Sequence, residues 1–131
     1  MRIFKTKAFN RWAKGLISDN SLLVAAYEIA GGNFDASLGQ KVYKKRIAIA
    51  GRGKSGGSRT IVAYQECNNL FFMYGFEKNE KSSVTNTEKK ALQELAKIYF
   101  EFGDMELNKE VKDKRLIEIK RQMKYMNKPG D

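Results

Sequence analysis

The sequence predicts one α+β domain over residues 1–103, a small antiparallel β-sheet carrying two N-terminal helices and a C-terminal helix, with a charged helical tail over residues 104–131. Three observations support this fold class. The chain has 131 residues, enough for one modest core. Apolar residues follow a helical period toward both ends of the domain and a strand period between them. No apolar run approaches the roughly 20 residues that a membrane helix needs.

Two short helices are expected at the N-terminus. Over residues 6–16, apolar side chains recur at the i, i+3, i+4, i+7 spacing from Phe9 to Leu16. A second helix follows, for which residues 18–20 offer N-caps and the glycine pair at 31–32 offers a stop.

Three strands of an antiparallel meander are predicted over residues 42–76. Residues 42–49 alternate, residues 51–57 form a glycine-rich loop, and residues 60–64 resume a strand. After a turn, residues 70–76 form an aromatic-rich strand. The short links favour hairpins.

A third helix is expected over residues 84–102, because Thr85 and Glu88 have the S/T-x-x-E spacing of a capping box. A charged helix with a thin apolar stripe is then predicted over residues 105–126. This stripe fits packing on the domain and docking to a partner equally well.

The charge is strongly positive and unevenly placed. The formal net charge is +10, from 25 Lys and Arg against 15 Asp and Glu. Residues 1–14 carry five basic and no acidic side chains, and residues 41–59 carry seven basic and no acidic ones. Concentrated positive charge beside a glycine loop indicates a polyanionic partner. Charge alone favours RNA and any other polyanion about equally.

Two absences narrow the chemistry. The chain has no histidine and one cysteine, Cys67, so zinc and other transition-metal sites are not expected, nor is any cofactor. One cysteine allows no internal disulfide and fits a reducing cytoplasm. The basic N-terminus leads into no apolar segment, so no signal peptide is expected. Chemistry must use Lys, Arg, Tyr, carboxylates or the substrate itself.

The loop Gly51-Arg52-Gly53-Lys54-Ser55-Gly56 matches G-x-G-x-x-G and resembles the end of a nucleotide-binding P-loop. Both motifs require a helix directly after the loop. Residues 58–64 are instead rich in β-branched side chains, so the loop is predicted to join strand to strand. A hairpin loop would bring backbone amides, Arg52 and Lys54 against phosphates.

Three segments, in this order, resemble the RelE/HigB toxin family and are most similar to its HigB-like branch. They are YKKRIA at 43–48, GKSGGSRTI at 53–61 and YGFEKNEKS at 74–82. Members of that branch carry a K-x-G-G-x-R-x-I hairpin and a Y-G-x-x-K-N-E strand end. The resemblance covers about the first three quarters of the chain.

This resemblance implies a small antiparallel sheet flanked by helices and ribosome-dependent endonuclease action on mRNA. It implies three partners, namely an antitoxin encoded alongside, mRNA and the ribosome, with no membrane and no small-molecule cofactor. Where the RelE branch has a catalytic arginine and a stacking tyrosine, this chain has Asn79 and Thr85. The implied site chemistry is therefore HigB-like.

RNA supplies its own nucleophile, the 2′-hydroxyl, so no metal is required. In our hypothesis Arg59 holds the scissile phosphate. Crowding of like charges disfavours protonated lysine, which makes Lys44 or Lys54 a candidate base, with Glu80 as the rival. The resemblance, carried over position by position, implies that Lys44, Arg46, Arg59, Lys78 and Lys81 belong to the site. The predicted catalytic residues are Lys44, Arg46, Lys54, Arg59, Lys78 and Glu80, and the predicted RNA contacts are Lys45, Arg52, Tyr74 and Lys81.

Two residues have competing interpretations, and two other functions remain open. Lys81 is also a candidate, with Lys78, for donating a proton to the leaving 5′-oxygen. Tyr74 can stack on a base, but core packing competes for its ring. The first alternative function is a nucleic-acid-binding module without catalysis, and the second is a gyrase-directed relative similar to the ParE toxins.

Overall fold

The computed structural model describes residues 1–51 and 53–120, with the backbone alone for residues 53–56. Over these residues the chain forms a six-stranded sheet in the order β2-β3-β4-β5-β1-β6. The strands are β1 (Ile3–Thr6), β2 (Ala36–Gly39), β3 (Val42–Ile49), β4 (Gly53–Tyr64), β5 (Leu70–Glu77) and β6 (Leu116–Ile119). The helices are α1 (Lys7–Ala13), α2 (Asp19–Ala30), α3 (Asn86–Phe100) and α4 (Asp104–Lys112). None of the helices described is long and apolar enough to cross a membrane.

The predicted α+β class is confirmed, and the helices begin where side-chain caps allow. Thr6 Oγ1 accepts a hydrogen bond from Phe9 N–H at the start of α1, and Ser18 Oγ accepts one from Ser21 N–H at the start of α2, both at 3.1 Å. Each cap satisfies a backbone donor that the helix itself leaves unpaired. The predicted capping box of α3 is also present.

Helices cover both faces of the sheet. One core lies between the sheet and α1 with α2, and includes Phe9, Leu22 and Phe72. A second core lies on the other face, which we call the α3 face, and includes Phe71 and Leu107. Strand β5 is therefore buried on both sides and reads as a continuous apolar run.

The sheet is mixed, whereas the sequence predicted a purely antiparallel one. Strand β1 pairs in parallel with β5, with Phe4 beside Phe71, and all other strand pairs are antiparallel. Neither β1 nor β2 was expected. All four residues of β1 are buried, including Lys5, whose Nζ lies 2.9 Å from Asp19 Oδ1. Burial on both sides removes the alternation that identifies a strand.

The prediction of a single helix over residues 105–126 is wrong for its described part. Helix α4 ends at Lys112, a turn follows in which Lys114 has φ of +62°, and β6 then pairs antiparallel with β1. Residues 121–126 lie outside the described residues. Arg2 ties this end to β1, with Nε 3.0 Å from Glu118 Oε2. Residues 104–119 thus complete the sheet and its core, rather than leaving the domain as a tail.

Phe71 stands at the centre of the α3-face core. It is fully buried, and its ring stacks on Phe4 at 5.2 Å and on Tyr99 at 4.8 Å between centroids. We expect Phe71→Ala to lower the free energy of unfolding by about 3–5 kcal/mol, because the cavity would be enclosed by rigid neighbours. Urea denaturation measures this change, with Phe102→Ala at a half-buried site as the control. A loss below about 1 kcal/mol for Phe71→Ala would contradict the packing described.

Candidate functional site

The β3–β4 hairpin brings three cations together on the α3 face. Arg46 on β3 lies directly opposite Arg59 on β4, and Lys44 lies opposite Ile61. Because side chains alternate along a strand, Lys44 and Arg46 share one face, and cross-strand pairing places Arg59 on the same face. We call Lys44, Arg46 and Arg59 the basic cluster. The chain passes here from strand to strand, with Ile49 paired to Gly53, as predicted from the residues after the loop.

None of the three cations has a carboxylate partner among the residues described. The Arg59 side chain makes one long hydrogen bond, from Nη1 to the Ser58 carbonyl at 3.5 Å. Elsewhere Arg2, Lys5, Lys45 and similar cations are paired with carboxylates. Like charges directly opposite each other destabilise a sheet. The basic cluster is therefore an electrostatic cost to the free protein that a bound anion would offset.

Lys45 does not join the basic cluster. It alternates with Lys44 and Arg46, so its side chain points to the opposite face, which α1 and α2 cover, and only 8% of the side chain is exposed there. Its Nζ donates a hydrogen bond to the Asn33 carbonyl and forms an ion pair with Glu28 Oε1, and both distances are 3.0 Å. A buried lysine needs such partners. Lys45 ties β3 to the end of α2 and is not available to a ligand on the α3 face.

Strand β5 places two aromatic rings next to the basic cluster. Phe76 lies directly opposite Arg59, and Tyr74 lies opposite Ile61 on the same face. Their ring centroids are 5.8 Å apart. Phe76 is buried, whereas Tyr74 is half-buried and packs against the α3-face core. The Tyr74 ring therefore packs against the core, one of the two interpretations considered for it, and part of the residue remains exposed.

Lys81, Glu88 and Tyr74 form a second polar group on this face. Lys81 Nζ donates to both oxygens of Glu88, at 2.6 and 2.7 Å, and to the Tyr74 hydroxyl at 3.3 Å. The hydrogen bond with Glu88 raises the pKa of Lys81. The same bond, followed by that from the Thr85 backbone, lowers the pKa of Glu88 to about 2. Both groups are thus charged at neutral pH, and Glu88 is a poor proton acceptor.

The remaining predicted residues lie around the end of β5 or outside the description. Lys78 is exposed, and its backbone N–H donates to the Gly57 carbonyl at 3.4 Å, next to β4. Glu80 is exposed in the following turn, where its Oε1 accepts from the Glu77 N–H at 3.0 Å. Arg52 and the side chain of Lys54 lie outside the described residues. The structure therefore brings together Lys44, Arg46, Arg59, Tyr74 and Lys81.

Sequence reasoning missed two members of this surface. Phe76 was not singled out, although its alternation with Tyr74 places both rings on one face. Glu88 was recognised only as part of the capping box. Its contact with Lys81 crosses the turn between β5 and α3, and no local spacing rule predicts that pair.

Comparison with known protein families identifies the family to which the chain belongs. Residues 1–119 match the family model described as "RelE toxin of RelE / RelB toxin-antitoxin system". The match includes α4 and β6, beyond the segments on which the resemblance rested. No curated protein matches the chain significantly. Because the match spans most of the sequence, this chain belongs to the RelE family of toxins from toxin–antitoxin systems.

Proposed function

We propose that this toxin is an endoribonuclease that inhibits translation by cleaving mRNA, without a metal and on the ribosome, with HigB-like site chemistry. The observation that carries the proposal is the basic cluster of Lys44, Arg46 and Arg59, three cations without carboxylate partners among the described residues. Two of them face each other across a strand pair, an arrangement that favours a bound phosphate.

The proposed reaction uses the 2′-hydroxyl of the RNA as nucleophile. Its oxygen attacks the adjacent phosphorus, the bond to the 5′-oxygen breaks, and a 2′,3′-cyclic phosphate forms. Arg59 offsets the charge that develops on the phosphoryl oxygens, because a guanidinium can bind two of them at once. Arg46 and Lys44 hold the phosphate beside it.

Two proton transfers complete this reaction. The 2′-hydroxyl proton passes to a base, for which Lys54 and Glu80 are the candidates, because Lys44 holds the phosphate as a cation and then has no free electron pair. Glu80 stands in the turn after β5, where it caps the Glu77 N–H. The leaving 5′-oxygen takes a proton from a cation, for which Lys78, directly after β5, is the candidate. The absence of histidine from the sequence restricts the choice to such groups.

The family also assigns a partner. RelE toxins belong to systems in which an antitoxin inhibits the toxin, so an antitoxin is expected for this chain. We propose that it is encoded alongside, that mRNA and the ribosome are the other partners, and that the toxin acts in the cytoplasm. An antitoxin that covers the basic cluster would need acidic groups there.

Expression in growing cells, with and without the neighbouring antitoxin gene, tests the proposed function. We expect the toxin alone to stop growth and to yield transcripts with new, defined ends, and co-expression to suppress both effects. Transcript-end mapping gives the readout. Growth arrest with intact transcripts and broken DNA would favour a gyrase-directed toxin. RNA binding with steep salt dependence, but with neither cleavage nor arrest, would favour a binding module.

A further inference from the structure

We propose that Lys81 and Glu88 are positioning residues that hold Tyr74 beside the basic cluster, and that Lys81 makes no phosphate contact. This inference rests on the proposed function and deepens it. It divides the cations of the α3 face into two classes. Lys44, Arg46 and Arg59 have no carboxylate partner within the described part of the chain and can bind the RNA backbone. Lys81, in contrast, is bound to Glu88 and Tyr74.

Each N–H donor of the Lys81 ammonium has a partner within the protein. A lysine ammonium has three N–H donors and no acceptor. For Lys81 all three have partners, namely the two oxygens of Glu88 and the hydroxyl of Tyr74. The contacts of 2.6 and 2.7 Å are short, as expected of hydrogen bonds between charged groups. A phosphate could bind Lys81 only by displacing one of these partners.

Glu88 is itself anchored, which makes its displacement costly. Its Oε1 accepts from the Thr85 N–H at 2.8 Å, and its own N–H donates to Thr85 Oγ1 at 3.1 Å. This capping box fixes the carboxylate at the N-terminus of α3, where the helix dipole favours negative charge. Lys81 is therefore held by a partner that belongs to the helix framework.

The target of this anchor is the aromatic pair on β5. Lys81 Nζ lies 5.4 Å from the centroid of the Tyr74 ring and 5.5 Å from that of Phe76. The Tyr74 hydroxyl also donates to Glu88 Oε2 at 3.2 Å. The ring and hydroxyl of Tyr74 are thus fixed from two sides, next to the residue that faces Arg59. Such a fixed ring can place a base or ribose relative to the cations.

The salt dependence of RNA affinity distinguishes positioning from phosphate binding. The probe is a single-stranded oligonucleotide with 2′-O-methyl groups, which cannot be cleaved, titrated by fluorescence anisotropy at several salt concentrations. We expect Lys44→Met to reduce the slope of log K against log salt by about 0.7, the value for one phosphate contact on a single strand. We expect Lys81→Met to leave the slope unchanged. A reduction by Lys81→Met equal to that by Lys44→Met would overturn the proposal.

Cleavage kinetics and a double mutant supply the second readout. We expect Lys81→Met and Glu88→Gln each to lower kcat by about tenfold or more with little change in KM, because a misplaced group costs rate and not affinity. Since both act through Tyr74, the double mutant should be no slower than the slower single mutant. The positioning role would be contradicted if the losses of kcat multiplied in the double mutant. It would also be contradicted if Glu88→Gln, which removes the ion-pair partner of Lys81, increased the activity.

Helix capping is controlled separately. Gln can replace Glu in a capping box, so Glu88→Gln retains the start of α3 while it loses the ion pair. Thr85→Ala removes the Oγ1 acceptor of the Glu88 N–H, but it keeps the Thr85 backbone N–H that binds Glu88 Oε1 and the ion pair with Lys81. We expect this variant to lower stability by about 1 kcal/mol with kcat near that of the parent. If Thr85→Ala lowers kcat as much as Glu88→Gln does, the effect is structural and the proposal fails. If the parent binds RNA without cleaving it, the nuclease proposal fails, and the salt slopes still decide the role of Lys81.

Discussion

Arg59→Ala is expected to abolish toxicity while leaving the protein folded. In the proposed mechanism Arg59 offsets charge on the phosphoryl oxygens, and loss of one such group lowers kcat by about 100- to 1,000-fold. Its removal also relieves the repulsion from Arg46 directly opposite, so the free energy of unfolding should stay constant or rise by a few tenths of a kcal/mol. Growth inhibition, mRNA cleavage and urea denaturation together measure this combination. Lost activity in a protein of undiminished stability would be the signature of a site that binds anions at the expense of the free state.

Two variants bracket this result. Arg59→Lys keeps the charge but not the planar fork, so partial activity is expected. Arg115→Ala removes the same charge from the turn before β6, where the guanidinium already binds Glu110 at 2.8 Å. Its toxicity should equal that of the parent. Full toxicity of Arg59→Ala would show that the basic cluster is not the catalytic site.

Gly75→Ala is expected to destabilise the sheet strongly although it adds a single methyl group. A Cβ at Gly75 would clash with Cζ3 and Cε3 of Trp12, which packs across β5 from α1. Neither the strand nor the half-buried Trp12 ring, which packs against the core, can yield without further shifts, so we expect a loss of about 1–3 kcal/mol. Thermal or urea denaturation measures it.

The Trp12 clash has two direct controls. Gly31→Ala places its Cβ no closer than 3.5 Å to any neighbour, so this substitution should be nearly neutral. In a Trp12→Ala background the clash disappears, and adding Gly75→Ala should then cost little. Additive losses in the double mutant would mean that Gly75 is required for some reason other than the approach of Trp12.

The parts of the site that follow from alternation were predictable from the sequence. Lys44 and Arg46 were placed on one face by the period of two, and the β-branched residues after the glycine loop identified a hairpin instead of a nucleotide-binding turn. The same alternation places Lys45 on the opposite face. Its inclusion among the predicted RNA contacts followed its charge and neglected its position, and the structure shows it buried against Glu28.

The parts that depend on distant contacts were not predictable. Strand β1 forms between β5 and β6, so its partners lie about 65 and 115 residues away along the chain. The sequence around β6 fitted a charged helix with a thin apolar stripe. The segment forms a strand because it pairs with β1, with Ile119 opposite Ile3, and because Arg2 binds Glu118. Glu88 was missed for a different reason, because Lys81 lies only seven residues before it but across the irregular turn between β5 and α3, where no periodic spacing applies.

The chemistry of the RNA ends tests the central claim most directly. The toxin is incubated with ribosomes translating a defined mRNA, and the groups on both sides of the cut are identified by end-specific ligation and mass spectrometry. Attack by the 2′-hydroxyl predicts a 2′,3′-cyclic phosphate, or the monophosphate formed by its hydrolysis, upstream and a 5′-hydroxyl downstream, absent with Arg59→Ala. A 3′-hydroxyl upstream and a 5′-phosphate downstream would require attack by water and would contradict the mechanism.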